Sequence, residues 1–180
     1  MTILALSGSP QTPSSTGFLL RAAAAAAPVG VKFVFYQELL QLSLFSPELD
    51  GQGAVAPPAV TALRQQLQAA DVVLIATPEY AYGMPGSLKN ALDWLVSAGS
   101  FYEKPVGVLS ASPSEVGGER ARAGLLLTLE ALGASVVPRA SFPIPFVRTK
   151  IDAAGVVTDA GFAAQLREAM AALAAAVPVA

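Results

Sequence analysis

The sequence contains no cysteine and no histidine. Without cysteine there are no disulfides, no thiolate nucleophiles and no thiolate metal ligands. Histidine is the commonest general base and metal ligand near neutral pH, so its absence excludes Ser-His-Asp and Cys-His hydrolysis and imidazole-bound zinc. We therefore expect no metal site, and we expect any difficult chemistry to be carried out by a cofactor that the protein positions. A cytoplasmic location is expected from the lack of cysteine.

Charged residues are scarce as well: they make up 13% of the chain, against 53% hydrophobic residues, and the mean hydropathy is +0.54. Much of the apolar fraction is alanine, and no strongly apolar run reaches the length of about eighteen residues that a bilayer span requires. The stretch 1–10 has neither a basic leader nor a cleavage site, which predicts a buried strand and not a signal peptide. The net charge of -2 predicts no binding to nucleic acid or to anionic lipid.

Short apolar runs alternate with segments of helical periodicity along the chain. Strands are predicted at 2–6, 31–36, 71–77 and 105–110, with a short fifth strand beginning at 135–137. Helices are predicted at 16–27, 59–70, 87–98, 119–132 and 159–177. The stretches 37–58 and 142–158 lack a sustained period, so the first is expected to be loop and the second irregular.

This alternation predicts one α/β domain over residues 1–180, with a parallel sheet between two layers of helices. For five strands the expected order is 2-1-3-4-5. In that order the switch point lies between the first and third strands. The loops that follow Leu6 and Thr77 are therefore expected to face a ligand.

The loop after the first strand, from Ser7 to Thr16, concentrates hydroxyl groups where a helix is predicted to begin. Hydroxyl donors and the amides at a helix N-terminus together suit a phosphate dianion. Serine and threonine also favour N-cap and turn positions, so an ordinary helix start is an equal alternative. The loop has neither the Gly-x-Gly-x-x-Gly pattern of dinucleotide folds nor the Gly-x-x-x-x-Gly-Lys-Ser/Thr pattern of NTPases.

The loop after the third strand, from Pro78 to Gly86, offers backbone amides together with Tyr80, Tyr82 and Gly83. Such a loop can lie along a flat aromatic ring and bond its polar edge. The plain alternative is a proline-bounded connection whose tyrosines pack on their neighbours. Because both loops are expected at the same switch point, they favour a planar ligand that carries a phosphate.

The segment TPEYAYGMPGSLKNALDWL, residues 77–95, resembles the signature of the NADPH-dependent FMN reductase family. That family has a flavodoxin-like fold and includes flavin, quinone, azo-dye and chromate reductases. Its first-loop pattern, Gly-Ser-x-Arg-x-x-Ser-x-Asn/Thr, is matched at Gly8, Ser9, Ser14 and Thr16. The segments ASPSEVGGERA after the fourth strand and AAGVVTDAGF before the last helix extend the similarity over most of the chain.

The resemblance implies FMN as the cofactor, NADPH or NADH as the electron donor, and a set of binding residues. The phosphate would be held by Ser9, Gln11, Ser14, Ser15 and Thr16; the ribityl chain and isoalloxazine would be bordered by Pro78, Glu79, Tyr80, Ala81 and Tyr82; and the pyrimidine end would lie near Ser112, Gly117 and Gly118. Two positions depart from the family pattern. Gln11 stands where an arginine is usual, which removes a positive charge near the phosphate, and Ala81 replaces an asparagine that is often found there.

The implied activity is an NAD(P)H-dependent oxidoreductase in which FMN accepts a hydride at N5 and passes two electrons on. The acceptor would be a small molecule: a quinone, a flavin, an azo compound or a metal oxyanion. Two substrates that share one open flavin face would give ping-pong kinetics, and no catalytic side chain is required. The main alternative is a flavodoxin-type electron carrier without NAD(P)H turnover, which 13 acidic against 11 basic residues fits poorly. A flavin-free interaction module is disfavoured by the hydroxyl-rich loop.

The resemblance also implies a homodimer or a homotetramer, because the family usually builds its dimer around the helix that contains Lys89, Asn90, Asp93 and Trp94. A tryptophan at helical spacing is more often a core residue than an interface residue, so Trp94 itself is expected in the core. The charged residues Glu119, Arg120 and Arg122 are expected to form a solvated helix start, with the arginines available to a nicotinamide dinucleotide phosphate.

Overall fold

The computed structural model describes residues 1–51, 53–152 and 154–177. Five parallel strands form one sheet in the order β2-β1-β3-β4-β5. The strands are β1 Thr2–Ser7, β2 Lys32–Tyr36, β3 Val72–Thr77, β4 Pro105–Ala111 and β5 Ser135–Ile144. The helices are α1 Ser15–Ala26, α2 Pro58–Ala69, α3 Gly86–Asp93, α4 Glu119–Ala131, α5 Val147–Lys150 and α6 Ala160–Ala175. The predicted flavodoxin-like order 2-1-3-4-5 is confirmed.

The sheet is the middle of three layers. Every residue of β3 and β4 is buried, as expected for central parallel strands that are covered on both faces. Helices α1 and α6 cover one face, where Leu19 packs in the same core as Leu166. Helices α2, α3 and α4 cover the other face, where the core contains Leu63, Leu92 and Leu125. No helix in the described ranges combines the length and apolarity needed to cross a membrane.

Two elements differ in length from the prediction. Strand β5 continues to Ile144, well beyond the short strand predicted at 135–137, and Pro138 is accommodated because β5 is an edge strand. Helix α3 ends at Asp93 and not near residue 98. The carbonyl of Trp94 accepts hydrogen bonds from the Arg64 guanidinium, so a side chain satisfies a carbonyl that a continuing helix would bond to its own backbone.

The two stretches predicted as loop or irregular contain local structure. Within 37–58 there are two 3₁₀ turns, Leu39–Gln41 and Pro47–Leu49. The carbonyl of Ser43 in this stretch accepts from the Asn90 amide and from the Trp94 indole, at 3.0 and 2.8 Å. Trp94 is fully buried, which agrees with its predicted core position. The second stretch, 142–158, contains the end of β5 and the short helix α5.

Candidate functional site

The carboxyl ends of β1 and β3 are joined directly, which brings the two predicted ligand loops to one edge of the sheet. The amide of Gly8 donates to the carbonyl of Ala76 at 2.8 Å. A Cβ at position 8 would lie 2.8 Å from Cδ2 of Leu88, so a larger residue there would force the Leu88 side chain to move. The hydroxyl-rich loop therefore begins in close contact with α3 and with the end of β3.

Ser14 is the N-cap of α1. Its backbone is extended, with φ -139° and ψ 154°, and its Oγ accepts a hydrogen bond from the Gly17 amide at 3.0 Å. Thr16 is buried, and its Oγ1 lies 2.8 Å from Oγ of Ser7 and 3.2 Å from Oγ of Ser14. The Thr16 hydroxyl is therefore engaged with protein groups, and the part of Thr16 that remains free to bind a ligand is its amide.

The first turn of α1 presents unused donors. The amides of Ser15 and Thr16 find no acceptor within the described parts of the chain. Oγ of Ser9 accepts from the Gln11 amide at 3.2 Å, which leaves the Ser9 hydroxyl proton free to donate. Together with the positive end of the helix dipole, equivalent to about half an elementary charge, these donors suit a phosphate. The chemistry of the donor set therefore fits the phosphate of FMN.

A cleft of about 350 Å³ opens beside this helix start. It is lined by Gln11, Pro13, Ser14, Ser15, Phe18, Val147, Arg148, Ile151 and Asp152. Of the predicted phosphate residues, Gln11, Ser14 and Ser15 reach this cleft. Arg148 and Asp152 were not selected from the sequence, because they lie in the stretch predicted to be irregular and belong to none of the matched motifs.

A second cleft, of about 500 Å³, borders the same loop and shares Gln11, Pro13 and Ser14 with the first. Ser9, Gln11 and Ser14 line it together with Arg21 of α1 and Tyr36 at the end of β2. The Tyr36 hydroxyl is buried and has no partner among the described residues. Burial, reinforced by the nearby charge of Glu38, raises the pKa of Tyr36 to about 12. Tyr36 is therefore neutral at physiological pH, and its hydroxyl is buried beneath the surface of this cleft.

The loop after β3 forms a tight turn that displays two tyrosines. Tyr80 and Gly83 exchange two backbone hydrogen bonds, at 2.9 and 3.0 Å. Ala81 and Tyr82 between them have φ of 49° and 64°, the left-handed conformation of a type I′ turn. Tyr80 and Tyr82 are 46% and 69% exposed. Their rings therefore stand at an open surface and not in either cleft.

Glu79 connects this turn to the helix after β4. Its Oε2 accepts from the amides of Arg120 and Ala121, at 3.0 and 3.1 Å. The N-cap of α4 is Gly118, which has no side chain to offer, so Glu79 supplies the acceptor from a distant part of the chain. The sequence prediction placed Glu79 beside the flavin and did not include this capping role. The signal in the sequence was the glycine before α4, which has no side chain to cap the helix.

The loop after β4 lies beside the Glu79 contact. Gly118 has φ 80°, and a Cβ on it would lie 3.6 Å from Cβ of Glu79. A Cβ on Gly117 would lie 2.7 Å from the Pro145 nitrogen, so that glycine is required by packing. Oγ of Ser112 lies 2.9 Å from Oγ of Ser114. Of the predicted pyrimidine-end residues, Gly118 lies close to Glu79 in the segment after β3, and Gly117 is needed for packing against Pro145.

The start of α4 is less solvated than predicted. Arg122 and Glu119 form an ion pair at 2.6 Å. The hydrogen bond from Arg122 lowers the pKa of the Glu119 carboxyl, against the raising effect of burial. The Arg120 guanidinium lies 3.9 Å from the centre of the Tyr82 ring. Arg122 is thus occupied, and Arg120 covers one tyrosine of the exposed turn.

The sequence model of the NADPH-dependent FMN reductase family matches residues 1–149 of this chain. The chain belongs to this family. It is 33% identical over 159 residues to an NAD(P)H-dependent FMN reductase of Pseudomonas aeruginosa, covering 87% of this chain and 84% of the relative. It is 31% identical over 164 residues to a quinone reductase of Escherichia coli, covering 89% of this chain and 87% of that protein.

Among solved structures, the chain resembles FerB, a flavoenzyme NAD(P)H:acceptor oxidoreductase from Paracoccus denitrificans. The TM-score is 0.84 at 27% identity, and the match covers 98% of this chain and 96% of FerB. This FMN reductase family member is accordingly an oxidoreductase with FMN as its cofactor and NAD(P)H as its donor, as predicted. The roles of individual site residues remain predictions.

Proposed function

We propose that this FMN reductase family member reduces a small acceptor of the quinone type by two electrons, and that donor and acceptor bind in turn at one open face. The observation that carries the proposal is the arrangement at the carboxyl edge of the sheet. There, the loop that leads into the donor-rich start of α1 follows β1, and a turn that exposes Tyr80 and Tyr82 follows the neighbouring strand β3. The quinone reductase among the relatives supports this choice of acceptor.

The residues of the chain would divide the work of holding FMN. Ser9, Ser14, Ser15 and the amide of Thr16 would bind the phosphate, and the Pro78–Tyr82 segment would border the ring. When bound, FMN supplies reversible two-electron chemistry. The chain contains no histidine or cysteine, so the protein's contribution is to bind, to orient and to leave one face accessible. The Tyr80–Gly83 turn is suited to this because its backbone bonds fix it without help from a ligand.

The test is anaerobic spectrophotometry of the FMN-loaded protein. NADPH or NADH should bleach the flavin absorbance, and a quinone added afterwards should restore it. In the steady state, double-reciprocal plots at several fixed quinone concentrations should be parallel. Intersecting lines would contradict the alternating scheme. A flavin that stays oxidised with both nucleotides would contradict reductase activity in favour of electron carriage.

We also propose that the protein acts in the cytoplasm as a homodimer or a pair of dimers. The proposal follows from the family resemblance; Val96, Tyr102 and Leu127, which are 62%, 70% and 69% exposed, are apolar side chains available to an interface. Trp94 is fully buried in the chain's own core and is therefore not available to an interface. An interface near the end of α3 would use exposed residues such as Val96 instead. Light scattering at micromolar concentration should give at least twice the chain mass, and a monomer would contradict this.

A further inference from the structure

The donors that the first loop offers to a phosphate carry no full positive charge. A phosphate monoester has a charge of about -1.5 to -2 at neutral pH. Position 11 is glutamine, so the loop supplies only hydroxyls, amides and the partial charge of the α1 terminus. Charge-assisted bonds are about twice as strong as neutral ones, so the missing cation matters for affinity.

Arg148 lines the 350 Å³ cleft together with Gln11, Ser14 and Ser15. The residue is exposed, and its guanidinium forms no ion pair or hydrogen bond with any described residue. By contrast, Arg64 and Arg122 are each held by a carboxylate. Arg148 therefore shares a cleft with the phosphate loop, and its donors are not used by any described residue.

The backbone around Arg148 is fixed by the fold. Val147 and Ile151 on either side of it are buried in the core beneath α1 and α6. The Val147 amide donates to the Ser112 carbonyl at 3.1 Å, which ties α5 to the loop after β4. The Ile151 amide donates to the Val147 carbonyl, also at 3.1 Å. A side chain on such a segment is presented to the cleft with little backbone freedom left to lose.

Other charges border the phosphate loop. Asp152 lines the same cleft, and its Oδ1 accepts from the amides of Ala154 and Val156, which directs one carboxylate oxygen into its own turn. Arg21 lines the second cleft and not the first, and its guanidinium carbon lies 4.8 Å from the centre of the Phe18 ring. Loss of Arg148 would leave Asp152 as the one charged residue among those lining the first cleft.

We propose that Arg148 binds the phosphate of FMN and supplies, from the segment after β5, the positive charge that Gln11 does not supply from the phosphate loop. The proposal rests on FMN binding at the start of α1 as described under the proposed function. It assigns to Arg148 the discrimination between phosphorylated flavin and riboflavin. The reaction itself needs nothing from this residue, because its part is in binding.

The test compares flavin affinities by fluorescence titration of the flavin-free protein with FMN and with riboflavin. Arg148→Gln should weaken FMN by about ten- to a hundredfold, the value of one charge-assisted hydrogen bond, and leave riboflavin unchanged. The salt dependence of FMN binding should become shallower. Adding Gln11→Arg to that variant should restore FMN affinity, because the phosphate loop then supplies the positive charge.

Two further variants sharpen the result. Lys150→Gln removes a charge of the same sign from the same short helix, but Lys150 lies 5.6 Å from the Phe162 ring and does not line the cleft, so FMN affinity should hold. Arg21→Gln tests the rival cation, which lines the second cleft. Unchanged FMN affinity in Arg148→Gln, or a loss seen in Arg21→Gln instead, would overturn the proposal. A wild-type protein that binds no FMN would overturn the proposed function, and this inference with it.

Discussion

Ser14 tests the phosphate loop because it can have two roles. The structure shows that it caps α1, and we propose that it also donates a hydrogen bond to the phosphate. Its Oγ caps α1 by accepting from the Gly17 amide at 3.0 Å. An oxygen that accepts in this way keeps its own proton, and that proton can be donated to a phosphate. In Ser14→Ala both functions are lost. Stability should fall by about 1 kcal/mol, the usual cost of removing an N-cap.

The same change should weaken FMN binding by about tenfold or more, since the lost hydrogen bond is charge-assisted. Ser14→Asp separates the two roles. Aspartate is an equally good N-cap and favours the positive end of the helix, so flavin-free stability should be kept or rise by about 0.3–1 kcal/mol. FMN affinity should nevertheless fall below that of Ser14→Ala, because two anions would then meet in one cleft.

Urea denaturation of the flavin-free protein and FMN titration measure the two quantities on each variant. The expected result is a reversal: Ser14→Ala is the less stable variant and Ser14→Asp the weaker FMN binder. If Ser14→Ala unfolds at the wild-type urea concentration, the cap contributes nothing and the reasoning fails. If Ser14→Asp binds FMN as well as the wild type does, the phosphate lies elsewhere.

Three further predictions concern the supports of the site. Glu79→Ala should lower the free energy of unfolding by about 1–2 kcal/mol in a urea titration, with Glu79→Gln losing less because it keeps an acceptor for the α4 amides. Ala81→Asn should raise it by about 0.5–1 kcal/mol, because asparagine tolerates the φ of 49° better than alanine; no gain would mean that the turn relaxes. Asp50 has a lowered pKa: burial raises it, but hydrogen bonds from Arg64 and Ser97 and the charge of Arg64 outweigh burial. Asp50→Asn should therefore cost about 1.5–3 kcal/mol at neutral pH, and this cost should shrink below about pH 4, as the wild-type carboxylate is protonated. A cost that does not depend on pH would refute that assignment.

The sheet could be predicted because its signal is local. Strands such as β3 and β4 are short apolar runs buried along their whole length, and parallel order follows from their alternation with helices. The predicted bounds of α3 and β5 were wrong, and in both places contacts with residues distant in sequence affect where the element ends. The end of α3 depends on Arg64 from α2, and the continuation of β5 past Pro138 depends on its being an edge strand. Neither condition is visible in the local pattern.

The site shows the same division. The loops after β1 and β3 could be located from their residues, and the structure joins them through Gly8 and Ala76. What each residue does within them could not be predicted. The Thr16 hydroxyl lies 2.8 Å from Oγ of Ser7, and Glu79 accepts from the amides at the start of α4; neither contact was predicted. Both outcomes depend on partners that only the fold brings into contact.

The loops of the site are held by bonds that need no ligand. Gly8 is bonded to Ala76, Glu79 to the start of α4, and Val147 to Ser112. A binding surface that is ordered beforehand loses little entropy when a ligand arrives, so ordering should not limit the affinity for FMN. The affinity for FMN should then depend mainly on charge, that is, on how many cationic side chains reach the phosphate. In this chain the loop itself carries none at position 11, which is why Arg148 from a different part of the sheet edge is expected to govern how tightly the cofactor is held.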